Sequence, residues 1–193
     1  MESSIYYFNS PGKHNTPEVL QAVRRRLNKR DIHHIVVASS SGDTALQLWD
    51  EIKSYEQNIV AVSLHAGFKG GDQVSLSSQT QQQLKEKDIS VFIGSHSLSG
   101  VGRSFSKAFG GTTPPEVMAE TLRLFGGHGI KVGVEVTIMA ADAGLIPTDQ
   151  YVIAIGGTHG GADSAMVLKP AHMSNLFEME ISEILCKPLK GEE

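Results

Sequence analysis

The chain has 193 residues, 40% hydrophobic and 20% charged, with 17 Lys and Arg against 21 Asp and Glu for a net charge of -4. That length suits one domain with a sizeable core, and mild acidity without a basic tract argues against nucleic acid as a partner. A single cysteine, Cys186, excludes an internal disulfide and fits a reducing compartment. No basic-then-apolar leader opens the chain and no apolar run approaches about 18 residues, so a cytoplasmic protein without a membrane span is expected.

In chain order, the polar loop SPGKHNT (10–16) precedes a helix expected over 17–29. Thr16 reads as its cap, Pro17 as a first-turn proline and Glu18 as a favourable early acid. A strand over 32–39 leads through a serine-rich stretch into a helix over 43–54, then a strand over 58–66, a helix over 78–86 and a strand over 89–96. Thr113 and Pro114 repeat the capping pattern before a helix over 115–125. In GIKVGVEVTIMAADAG (129–144) the first half has strand propensity, but Val132, Val136, Met139 and Ala143 form a stripe at helical spacing and Gly144 suits a C-cap. A buried helix is expected there. Strands over 150–157 and 164–171 follow, and Cys186 reads as a small core or near-surface residue. Apolar strands with little polar alternation, separated by helices, predict an α/β fold: a three-layer α/β/α sandwich on a mostly parallel sheet, one domain over 1–193.

In such a sheet the ligand sits beyond the carboxyl ends of the strands. Ser39, Ser40, Ser41, Gly42, Asp43 and Thr44 fall there, between a strand and a helix N-terminus. Hydroxyls, free first-turn amides and the positive end of the helix dipole suit a phosphate, and Gly42 allows close backbone approach. Asp43 is discordant, because its carboxylate can cap the same amides. No GxxxxGK[ST] loop occurs, and GVG (100–102) is short of a GxGxxG fingerprint.

Polar, glycine-rich text recurs at the same edge in HAGFKGGD (65–72), GSHSLSGVGRS (94–104) and GGTHGGAD (156–163), which predicts a pocket there. Its candidate ligand contacts are His65, Gly67, Phe68, Ser95, His96, Ser97, Arg103, Gly156, Gly157, Thr158, His159 and Gly160 alongside the serine loop, with Lys13 and Ser164 as further polar groups. A guanidinium such as Arg103 pairs readily with phosphate. The glycine density of 156–161 fits close approach to a flat ligand. His65, His96 and His159 follow three strands and converge if those strands are neighbours, with Asp163 or Asp72 as carboxylate partner and His14 and His128 as additional loop histidines. No metal-ligand spacing supports a metal site; His159, His96 and Asp163 remain the candidates for acid-base work. Glu135 and Asp142, seven apart on a helical face, read as hydrated or capping groups, and no GxSxG elbow marks a nucleophile.

IVVASSSGDTALQLWDEI and GLIPTDQYVIAIGG resemble segments of the pyruvate kinase C-terminal α/β domain. YFNSPGKHNT, SSSGDTA, GSHSLSGVGRSF, VEVTIMAADAGLIP and GGTHGGADSA extend that resemblance to a family of free-standing archaeal and bacterial proteins built on this domain alone. The resemblance implies the three-layer fold and a phosphate-bearing ligand at the strand edge. Members of the free-standing family are associated with flavin mononucleotide (FMN), and the resemblance implies that ligand here, with the serine loop or GGTHGG as its phosphate grip and Phe68 and Phe105 the loop aromatics open to its ring. Pyruvate kinase chemistry is not implied, since its barrel alone needs about 250 residues.

Three readings follow: an FMN-binding protein whose redox chemistry resides on the flavin, a sensor of a phosphorylated metabolite, or an enzyme using His159 and Asp163 as acid-base or metal-binding groups. A homo-oligomer is compatible with each.

Overall fold

The computed structural model describes residues 4–189. Short runs of Val, Ile and Ala form one seven-stranded sheet: β1 (Tyr6–Phe8), β2 (His34–Ala38), β3 (Asn58–Leu64), β4 (Ser90–Gly94), β5 (Val152–Gly156), β6 (Ser164–Lys169) and β7 (Glu180–Pro188). Their spatial order is β1-β7-β6-β5-β2-β3-β4. Every neighbouring pair is parallel except the two that β6 makes, with β5 and β7. The mostly parallel sheet is as expected, with β6 reversed because only the short 157–163 connection separates it from β5. A parallel return needs a crossover of a dozen or more residues.

The helices are α1 (Thr16–Leu27), α2 (Asp43–Ile52), α3 (Ser78–Lys85), α4 (Val101–Phe109), α5 (Pro114–Gly126) and α6 (His128–Asp142). Alternation along the strands sorts them into two layers. Ile35, Val37, Ile153 and Ile155 meet Val19 and Val23 of α1, Leu48 and Ile52 of α2 and Leu84 of α3. Val36, Val60, Ala154 and Met166 point the other way, against Ala119 of α5 and Ile130, Val134 and Ile138 of α6. Each fully buried aliphatic of this kind stabilises the fold by about 1.5–3 kcal/mol before entropy is counted.

α6 lies across the sheet centre and is buried along nearly all its length, Lys131 and Glu135 included. It can approach so closely because Gly133 leaves room for the Met166 side chain and because a Cβ at Gly156 would strike the Gly129 carbonyl oxygen. Tertiary burial on all sides thus overrides the strand propensity of VGVEV.

Several local expectations need correction. The strand expected over 164–171 stops at Lys169, where Pro170 has no N–H to continue the ladder. β1, β7 and α4 were not foreseen. Thr16 is the first residue of α1 rather than its cap; its hydroxyl donates to Lys13 O at 2.7 Å and accepts from Ala162 N at 2.9 Å. Thr113 does open α5, its amide donating to Glu116 Oε2 at 2.9 Å. Cys186 is fully buried in β7. Among the described residues, no helix is long and apolar enough to cross a membrane.

Candidate functional site

The connections after β1, β2, β3, β4 and β5 open at the carboxyl edge, as does the N-terminal end of α6, which runs antiparallel to β5 on the way into it. The structure places the sequence-derived candidates there in two groups.

The first group surrounds β2, β3 and β4. Ser39, buried, accepts from Ala45 N through Oγ at 3.3 Å, and Ser41 Oγ accepts from Asp43 N at 3.4 Å. The serines therefore cap α2, and Asp43 stands in its first turn with Gly42 at the cap position. Gly42 has φ +92°, and the space a Cβ would need is filled by the Thr80 methyl, with Leu76 beside it. Its bare backbone admits the close approach of Thr80, a protein group in place of a ligand; Ser40, half-buried, and Ser41, exposed, hold the open side of the loop. Thr44 is buried beneath them.

One and two strands further, three rings meet. His65 and His96 have centroids 5.6 Å apart, Phe68 lies 5.1 Å from His96 and 5.5 Å from His65, and Phe68 remains half-exposed. Gly67, at φ +80°, provides the turn that folds Phe68 back over His65, closed by a Phe68 N to His65 O bond of 3.3 Å. The His65 ring is fixed by a 2.6 Å contact between Nδ1 and Ala66 O.

Beneath His96 lies a charged pair that sequence reasoning missed. Lys131 Nζ donates to Glu135 Oε2 at 2.6 Å, Glu135 Oε1 accepts from Leu98 N at 3.0 Å, and Ser97 Oγ donates to the Glu135 carbonyl at 3.3 Å. His96 Nδ1 stands 3.8 Å from Glu135 Oε2. Glu135 is thus a buried anchor for the β4–α4 loop instead of a hydrated group, while Asp142 does cap, accepting from Met173 N at 3.1 Å. Burial lowers the Lys131 pKa, opposed by the Glu135 carboxylate, and burial lowers that of His96 below its usual 6.5, again opposed by Glu135. The legible signal was a Lys and a Glu four apart in otherwise apolar helical text.

The second group, 156–163, is bound up with the protein itself. Asp163 is fully buried; Oδ2 accepts from Gly12 N at 3.0 Å and Thr158 N at 3.1 Å, and Oδ1 accepts from Ser164 Oγ at 2.9 Å. Gly156 faces α6, Gly157 faces the Gly161 carbonyl, and Gly161 faces Lys13. The glycine density here serves packing of the loop on α6 and the β1–α1 connection, with Gly160 the open position. Thr158 is buried and His159, at φ +53°, exposed.

The remaining candidates are dispersed. Arg103 and Phe105 are exposed on α4, with Phe105 against Phe109 at 5.8 Å and outside the three-ring cluster. Ser95 and Asp72 are exposed, His14 Nε2 meets Ser10 Oγ at 3.3 Å, and His128 Nδ1 accepts from Arg123 Nε at 3.3 Å. Two of the three strand-end histidines come together, and among the described residues no group of three or more His, Cys, Asp or Glu could hold a metal ion. The assembled groups offer flat ring surfaces, imidazole nitrogens and serine hydroxyls over a buried ion pair. Residues 17–168 match the family model described as pyruvate kinase, alpha/beta domain.

Proposed function

The chain belongs to the pyruvate kinase alpha/beta domain family, and on that footing we propose that it binds FMN at the carboxyl ends of β2, β3 and β4. The observation that carries this reading is the ring cluster of His65, Phe68 and His96 standing beside the serine loop. Neighbouring strands lie about 4.8 Å apart. Serine loop and ring cluster are therefore separated by one to two strand spacings, the scale of the short polyol chain that joins a flavin's phosphate to its ring system.

Ser40 and Ser41 would hold the phosphate with the N-terminus of α2, and the half-exposed Phe68 and His96 would face the flavin rings. Bound flavin supplies hydride or electron transfer; the chain's own groups orient it and shield one face from water. The serine loop is favoured over 156–161 as phosphate grip because it stands nearer the ring cluster in the sheet order, whereas Gly156 and Gly161 of the latter pack on α6 and Lys13 and Gly160 alone of its glycines is open.

The test is the visible spectrum of freshly purified protein, followed by FMN titration read as quenching of flavin fluorescence. Saturable quenching that Phe68→Ala weakens on the ring side, and Ser40→Ala weakens for FMN but not for riboflavin, is the expected pattern. A colourless protein that leaves flavin fluorescence unchanged overturns the reading.

A further inference from the structure

α4 buries none of its residues, although it carries a well-formed apolar stripe. Val101, Phe105 and Phe109 follow one another at intervals of four, with Val101 73% and Phe109 82% exposed. A nine-residue helix is too short to hold itself in water by its own hydrogen bonds. Its tether within the chain is polar: Ser106 Oγ donates to Glu116 of α5, and Gly102 sits against Thr113. α5 has a similar excess. It turns Met118, Ala119 and Leu122 to the core and leaves Val117 exposed, with Leu124 84% and Phe125 77% exposed.

We propose that α4 and α5 form the two-fold interface of a homodimer. Area supports a second copy of this chain as the occupant. At about 200 Å² per phenylalanine side chain, the three phenylalanines alone expose on the order of 400 Å². Val101, Val117 and Leu124 bring the surface towards the roughly 800 Å² that each partner contributes to a standard interface, beyond the roughly 300–600 Å² patch that a monomer ordinarily leaves open. Charge supports it as well. The charged residues of α4 are Arg103 and Lys107, both exposed, while α5 presents Glu120, exposed and paired within its own helix only to Arg123. A two-fold axis is self-complementary: laying α4 of one subunit on α5 of the other sets these cations against Glu120 of the partner subunit, twice. The inference does not depend on flavin: it uses none of Ser40, Ser41, Phe68 and His96, and the sequence-derived ligand candidates it shares are Arg103 and Phe105, which stand on α4 outside the ring cluster.

The experiment is light scattering coupled to size-exclusion chromatography on the full chain across a dilution series, with Phe109→Asp and Leu124→Asp run alongside. The wild-type chain is expected at twice its monomer mass, and each variant is expected to weaken association about tenfold or more with an unchanged far-ultraviolet circular dichroism spectrum, since neither side chain lies in the core. A wild-type monomer throughout the series overturns the proposal and leaves the face to an unrelated partner. A dimer that neither substitution weakens overturns it too, by placing the interface elsewhere.

Discussion

Lys131 Nζ stands 2.6 Å from Glu135 Oε2 one turn along α6, and the two side chains are only 5% and 3% exposed. Charges so buried are tolerable together and costly apart, because each alone is left without water or a counter-charge. Lys131→Met or Glu135→Gln singly is expected to destabilise the protein by about 3–5 kcal/mol. The double variant removes both charges, and its Gln still offers an oxygen to Leu98 N. It is expected to recover most of the loss. Urea denaturation at neutral pH of all four proteins checks this, and a double variant as unstable as the sum of the singles would refute the coupling.

Asp163 has a comparable position with neutral partners. Removing its carboxylate in Asp163→Ala leaves Gly12 N and Thr158 N without their acceptor, and each buried donor left unmet costs about 1–3 kcal/mol. Asp163→Asn keeps one oxygen for those amides and can donate to Ser164 Oγ from the other side. A large loss of thermal stability in the alanine variant and a small one in the asparagine variant is the expected order. Equal losses would mean that the negative charge near the start of α6 matters more than the hydrogen bonds.

Burial also sets a pH dependence. His96 and His34 are both held below the usual value of 6.5, chiefly by desolvation. As pH falls through 6.5 the unfolded chain takes up these protons before the folded one does, so stability rises with pH across that window. It is complete above about 6.5, declines as pH falls towards the folded values and is flat below them. His96→Asn should flatten part of this slope. Denaturation midpoints between pH 5 and 8, in steps of about half a unit, read it directly, and a wild-type stability that rises on acidification contradicts it.

Cys186 is fully buried, and desolvation pushes its thiol up to about 12. The thiolate is the reactive form, so a disulfide reagent at neutral pH should find no thiol in the native protein and one thiol per chain after denaturation. Rapid labelling of the native protein would show that β7 opens far more readily than a central strand should.

The legible parts of this fold were those whose two faces are both covered. β2, β3 and β5 are continuous apolar runs because helices pack on either side, and the text announces them. β7 reads EISEILCKP, with Glu180 exposed and Glu183 held by Arg26 and Lys29, and its charges hid it. β1 is three residues long and had no pattern to show. α4 was absorbed into a loop because Gly100 and Gly102 and the serines around them read as loop text, and the helix is short, with three apolar residues in its stripe. In the site, strand-end histidines were easy to place, but which of them converge depends on strand order, and that order set His65 and His96 on adjacent strands while β2 stands between them and β5, which leads to His159. Glu135 was misread and Lys131 missed for a different reason: only the depth of α6 turns an ordinary helical pair into a buried one.

The sheet order has a further consequence for how the chain is made. Tyr6 of β1 pairs with Cys186 of β7, and β7 is the strand that joins β1 to the rest of the sheet. During translation Tyr6 therefore waits for its partner strand: until Cys186 has left the ribosome, β7 offers it no edge to join. The nascent chain must carry β1 undocked while everything between Tyr6 and Cys186 is made, and the sheet is sealed by a pairing between strands far apart in sequence.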